Sequence, residues 1–226
     1  MSFNAYNNVV QTTPNSCGAF ALAAALSHLN HAQLTNKLNA ADVSQGFSVP
    51  DPQGFAQSIY QVTGNLFIDF VHGNATYRYQ APVADMNPPS ALAFMAVLHG
   101  VDPNNININY NQVADLAFNS INVLNNGGAG NLLDTETAII NIPPVLGNIH
   151  GPVNYDALPG PGKAHLLLVN NKQHWIVIND QHVYDPATGY VGGYVVNDPL
   201  PLTTLTYNFN HITEVCNFSG LWIELS

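Results

Sequence analysis

The run Pro159-Gly160-Pro161-Gly162 is the strongest break in the chain. Proline fixes φ and removes a hydrogen-bond donor, glycine frees φ, and neither suits the interior of a helix or strand. Upstream, Ser16 or Asn15 can cap a helix through about Leu29, with Ala19, Phe20, Leu22, Ala23, Leu26 and Leu29 on its buried side. Asp51-Pro52 starts a second helix that reaches about Val62, ahead of Gly64, and Pro88-Pro89-Ser90 a third that ends near His99-Gly100. A fourth is expected from Asn111 to Leu124, stopped by Asn125-Asn126-Gly127-Gly128. A short fifth over Leu132–Ile140 would end at Ile142-Pro143-Pro144. Downstream, β-type runs cover His165–Asn170, His174–Asn179, His182–Asp185, Tyr190–Val196, Thr203–Phe209 and Ser219–Leu225. Helices followed by a mostly antiparallel sheet make an α+β pattern, with a helical lobe over about 1–160 and a β lobe over about 161–226.

At 226 residues the chain suits one domain, and 46% hydrophobic residues are enough for a core without staples. The 4 basic side chains against 14 acidic ones give a net charge of −10. Lys37, Arg78, Lys163 and Lys172 are the whole basic inventory and none neighbours another, which excludes nucleic acid and anionic membranes as partners. Much of the polarity is asparagine, as in Asn104-Asn105-Ile106-Asn107-Ile108-Asn109. Two cysteines, Cys17 and Cys216, make at most one bridge. The N-terminus lacks a basic segment followed by an apolar one, and the apolar runs Ala19–Leu26 and Ala91–Leu98 are too short to span a bilayer. A cytoplasmic, soluble protein is expected as synthesised, with signal-independent export as an effector left open.

Chemistry concentrates first in Gln11-Thr12-Thr13-Pro14-Asn15-Ser16-Cys17-Gly18. A cysteine in the first turn of a helix faces unpaired backbone N–H groups and the positive end of the macrodipole, which favour thiolate, the nucleophilic form. Gly18 is expected to keep the next position open, so that its N–H and that of Cys17 face a substrate carbonyl. Gln11, carried back by a turn at Pro14, would add its side-chain NH₂ to the oxyanion hole. One such donor is worth roughly 3–4 kcal/mol of barrier. Against this stands the ordinary role of a free cysteine as a small buried hydrophobe.

The base is sought in His174–Asp185, which reads as a β-hairpin. A turn centred on Asn179-Asp180 pairs Val177 with His182, Trp175 with Tyr184 and His174 with Asp185. Directly opposed Cβ atoms lie about 5 Å apart, right for an imidazole N–H to reach a carboxylate. His174 then moves the proton while Asp185 orients it and supports the imidazolium. His165 is a weaker base candidate, with no carboxylate opposite it in this register, and His182 faces away from His174. His28-Leu29-Asn30-His31 is a poor zinc spacing, so no metal or other cofactor is expected. Gly127-Gly128-Ala129-Gly130 lacks the lysine of a phosphate loop and reads as a linker. Cys216 reads as a core thiol.

These residues resemble those of papain-fold cysteine peptidases. Gln11, five intervening residues and Cys17 opening Cys-Gly-Ala-Phe-Ala-Leu are similar to the family's oxyanion glutamine and nucleophile. His174-Trp175 at a strand start matches its base, and Asp185-Pro186-Ala187-Thr188-Gly189 is closest to the branch that processes bacteriocin double-glycine leader peptides. The similarity covers about residues 9–30 and 164–190. It implies a papain-like fold, the nucleophile helix packed on the β lobe, and Gln11, Cys17, His174 and Asp185 as oxyanion donor, nucleophile, base and orienter. Gly18 and Trp175 would border the substrate. The activity implied is a cysteine peptidase acting on a peptide or protein substrate through an acyl-enzyme. The same triad serves glutamine deamidases and transglutaminase-like acyltransferases, and the fold can carry a non-catalytic binding module. Sixteen residues ahead of Cys17 are too few to block a cleft, so control is expected from location, a partner or substrate scarcity.

Overall fold

The computed structural model describes residues 3–31, 51–64, 67–72, 75–80, 87–119, 122–125, 128–131, 136, 147–171, 173–197 and 199–226. Its helices are α1 (Cys17–His28), α2 (Pro52–Thr63), α3 (Pro89–Leu98) and α4 (Gln112–Asn119). α1 is apolar all round, and every residue from Cys17 to Leu26 is buried, so it forms the centre of the molecule rather than a surface layer. Ser16 occupies its N-cap, but the hydroxyl donates to the Thr13 carbonyl at 2.9 Å instead of capping the helix. α2 starts as Asp51-Pro52 predicts, with the Asp51 carboxylate accepting from the Gln53 N–H.

The strands are β1 (Phe67–His72), β2 (Ala75–Gln80), β3 (Ile106–Tyr110), β4 (Asn122–Asn125), β5 (Gly128–Asn131), β6 (Asn148–His150) and β7 (Ala164–Val169). They continue as β8 (His174–Ile178), β9 (Val183–Asp185), β10 (Tyr190–Gly192), β11 (Val195–Val196), β12 (Thr204–Phe209) and β13 (Ile212–Leu225). β1–β2 and β4–β5 are separate two-stranded ribbons. The main sheet runs β10-β9-β8-β7-β13-β12-β11, and β3 joins it along β13. β6 pairs parallel to β3 while the other pairings are antiparallel, so the sheet is mixed. The fold is therefore α+β.

Several expectations are corrected. The fourth helix stops at Asn119, and Asn122–Asn131 turns into the β4–β5 ribbon, which takes up much of the expected Gly-rich linker. The stretch Tyr190–Val196 is two strands, β10 and β11, at opposite ends of the main sheet, and the last strand begins at Ile212 rather than Ser219. The Pro-Gly break does not separate strands from helices, because β3 and β6 precede it and enter the sheet. In β3, Ile106 and Ile108 are fully buried and Asn107 between them is not, an alternation that ends at Asn109, which is buried as well. Apart from Glu136, the expected short helix over Leu132–Ile140 lies outside the described residues.

β7 is buried on both faces. Leu166 and Leu168, with Trp175, Val177 and Tyr184, pack into the core built on α1, α2 and α3. Leu167 and Val169, with Ile176, Ile178 and Val183, pack into a second core containing Leu205, Tyr207, Cys216 and Trp222. α1 lies directly on β7 and β8.

Candidate active site

The first residue of α1 meets the first residues of β8. The Trp175 backbone N–H donates to Cys17 Sγ at 3.4 Å, fixing the helix tip against the strand start. His174 Nε2 lies 2.8 Å from Asp185 Oδ1, and the ring also hydrogen-bonds Cys17. With Nε2 engaged, Nδ1 is the nitrogen left for the sulfur. Residues 158 positions apart in sequence are thus joined through α1 packing on β8.

The hairpin differs from the expected register. Asn179 N–H donates to the His182 carbonyl, and Val177 and Ile178 pair with Tyr184 and Val183. The turn centres one residue later than Asn179-Asp180, because the Asn179 side chain accepts from both the Gln181 and His182 N–H groups. His174 and Asp185 are therefore diagonal rather than directly opposed. A two-residue displacement leaves both on the same face, whereas one residue would have put them on opposite faces.

Asp185 is held on both oxygens. Oδ1 accepts from His174 and from the Ala187 N–H at 2.7 Å, and Oδ2 accepts from the Tyr207 hydroxyl at 2.5 Å. Burial pushes this carboxyl up, but the bonds and charge of His174, with those of Tyr207 and Ala187, outweigh it and hold it below the usual range. Burial likewise works against the charged imidazole. The hydrogen bonds and negative charges of Asp185 and Cys17 win, raising His174 to about 9.

The remaining candidates fall in different places. Gln11 is tied to the turn that follows Asp185, its N–H donating to the Pro186 carbonyl at 2.8 Å. Its side-chain NH₂ donates to the Pro14 carbonyl at 3.2 Å, and Oε1 is buried with no partner among the described residues. Gly18 is not an open position. A Cβ there would run into the Asn87 side chain and, at 3.0 Å, the Trp175 ring. Trp175, expected to border the substrate, is 5% exposed and packs in the same core cluster as Cys17. His165 accepts or donates at 2.7 Å with the Tyr155 hydroxyl, and burial pushes it down to about 3. Glu224 does lie opposite it on β13, contrary to the expected register, but takes its bond from Trp222 Nε1. Cys216 is a buried thiol that burial pushes up to about 12, and both cysteines are free. His28 packs on Phe3 and His31 bonds the His99 carbonyl, and no metal-binding group of His, Cys, Asp or Glu occurs among the described residues.

Two contributors are not apparent from sequence. Asn87 accepts from the Thr63 hydroxyl at 2.6 Å and donates to the Asn15 carbonyl, linking the end of α2 to the entry of α1 beside Gly18. An isolated asparagine ahead of Pro88-Pro89 carries no signal of that. Tyr207 looks like any alternating strand residue until the sheet brings it to Asp185. No helix among the described residues is long and apolar enough to cross a membrane. No protein-family model, curated protein or solved structure matches the chain, so the functional reading rests on the geometry of these side chains.

Proposed function

We propose that the protein is a cysteine peptidase of papain-like arrangement, hydrolysing a peptide or isopeptide bond through Cys17, His174 and Asp185. One observation carries the reading: a single imidazole bonded to Asp185 on one side and to a helix-tip sulfur on the other. The Cys17 thiolate adds to the substrate carbonyl carbon, and the oxyanion forms against N–H groups of the first turn of α1, which have no intrahelical acceptor. The second N–H of the Gln11 amide is a further donor. The imidazolium then gives its proton to the leaving amine as the C–N bond breaks, leaving a thioester. Water adds to that thioester, His174 takes its proton, and release of the acid returns the thiolate. Asp185 keeps the ring aligned throughout.

The 4% exposure of Cys17 favours one rival, a non-catalytic module in which this thiol is only packing. Iodoacetamide labelling at pH 6, followed at each cysteine by peptide mass spectrometry, separates the two. Fast Cys17 labelling that is lost in His174→Ala is expected; equally slow labelling in both overturns the enzymatic reading. On a glutamine-containing peptide the expected product is a new N-terminus, and ammonia release would replace hydrolysis of the chain by deamidation.

A further inference from the structure

Resting on that reading of the site, we propose that Tyr207 is a positioning residue of the triad, its hydroxyl fixing the Asp185 carboxylate in the orientation that meets His174. Tyr207 stands on β12, far in sequence from the hairpin, yet its Oη lies 2.5 Å from Asp185 Oδ2, the oxygen that His174 does not use. Donation to a carboxylate is stronger than donation to a neutral acceptor. With His174 and the Ala187 N–H on Oδ1, it leaves the group little freedom to rotate.

The tyrosine is itself fixed. Its ring stacks on Tyr190 with centroids 4.6 Å apart and planes 10° from parallel, and Tyr190 is the β10 residue paired directly with Asp185. The Thr188 side chain is a second partner of the same hydroxyl. Other buried tyrosines satisfy their hydroxyls away from the site: Tyr6 with Ser27, Tyr155 with His165, Tyr184 with the Val9 carbonyl. Among the described residues the titratable groups around Asp185 are His174 from β8, Tyr207 from β12, Cys216 from β13, Tyr190 from β10 and Tyr184 on β9 itself. Of these, His174 and Tyr207 are the ones that bond its carboxylate.

The test reads the pH dependence of Cys17 alkylation by iodoacetamide in the full chain. At low pH the rate falls when Asp185 takes a proton and ceases to support the imidazolium. Tyr207→Phe keeps the ring and its stacking but removes the donor, so the acid inflection should move up by about one pH unit. Thr188→Val keeps Tyr207 but removes a hydroxyl that also accepts from the Tyr190 N–H at 3.2 Å and donates to the Asp185 carbonyl at 3.5 Å. It should move the inflection the same way by less, and an unmoved inflection there overturns the proposal if Tyr207→Phe does not fold. A packing role alone would lower the melting temperature and leave the inflection where it is. An unmoved inflection in the folded variants overturns the proposal while the triad stands. Wild-type labelling at pH 6 that His174→Ala does not slow would overturn the reading of the site itself.

Discussion

Asp185 and Glu136 are both buried carboxyls held by hydrogen bonds, and their surroundings shift their pKa values in opposite directions. Glu136 sits at the N-terminus of α3, taking the Ser90 N–H at 2.6 Å and the Ser90 hydroxyl at 2.9 Å, in place of a cap that Pro88 cannot supply. Burial pushes it up to about 7 despite both bonds. Asp185 has comparable donors and, in addition, an imidazole that shares its proton, and it stays below the ordinary range. Among the described residues Glu136 has neutral donors alone, and these do not offset the desolvation of its charge, whereas a facing cation does so at Asp185. Residues 137–146, beside Glu136, lie outside the described residues.

The largest effect that sharpens this contrast is expected from Asp185→Ala. It strands His174 and the Tyr207 hydroxyl in the interior and should cost about 3 kcal/mol, measured by urea unfolding near neutral pH. The pH dependence should separate the two sites. Stability contributed by the lowered Asp185 is present above about 3.8 and is lost as pH falls through its folded value. Stability contributed by the raised Glu136 is complete below about 4.5 and is lost as pH rises through about 7. Glu136→Gln, which keeps an acceptor for Ser90, should flatten that second window, removing a change on the order of 3 kcal/mol. A slope between pH 4.5 and 7 that Glu136→Gln leaves intact would break the comparison. Ser90→Ala should cost least, about 1 kcal/mol, while moving the Glu136 titration further up, because one of its two opposing bonds is gone.

The site was more legible than the sheet, for physical reasons. Cys17 at a helix start is a local feature, visible in Asn15-Ser16-Cys17-Gly18 followed by an unbroken apolar run. His174 and Asp185 share a face in either register, because moving the turn centre by one residue shifts the pairing by two and side chains alternate with period two. Packing around the site was not legible. Gly18 reads as an opening, but Asn87 and Trp175 crowd the space a side chain would need there, and Asn87 arrives from the entry to α3. The strand Ile106–Tyr110 carried its own alternation, hidden in what looked like general asparagine richness. Its partners β13 and β6 are distant in sequence, and no local pattern chooses between such pairings.

The proposed chemistry requires His174 to be held protonated between Asp185 and Cys17. NMR titration of its ring, assigned by comparison with His174→Gln, tests this most directly. A midpoint near 9 is expected in the wild type, falling by at least one pH unit in Asp185→Asn. A midpoint near 6.5 that Asp185→Asn does not move would contradict it.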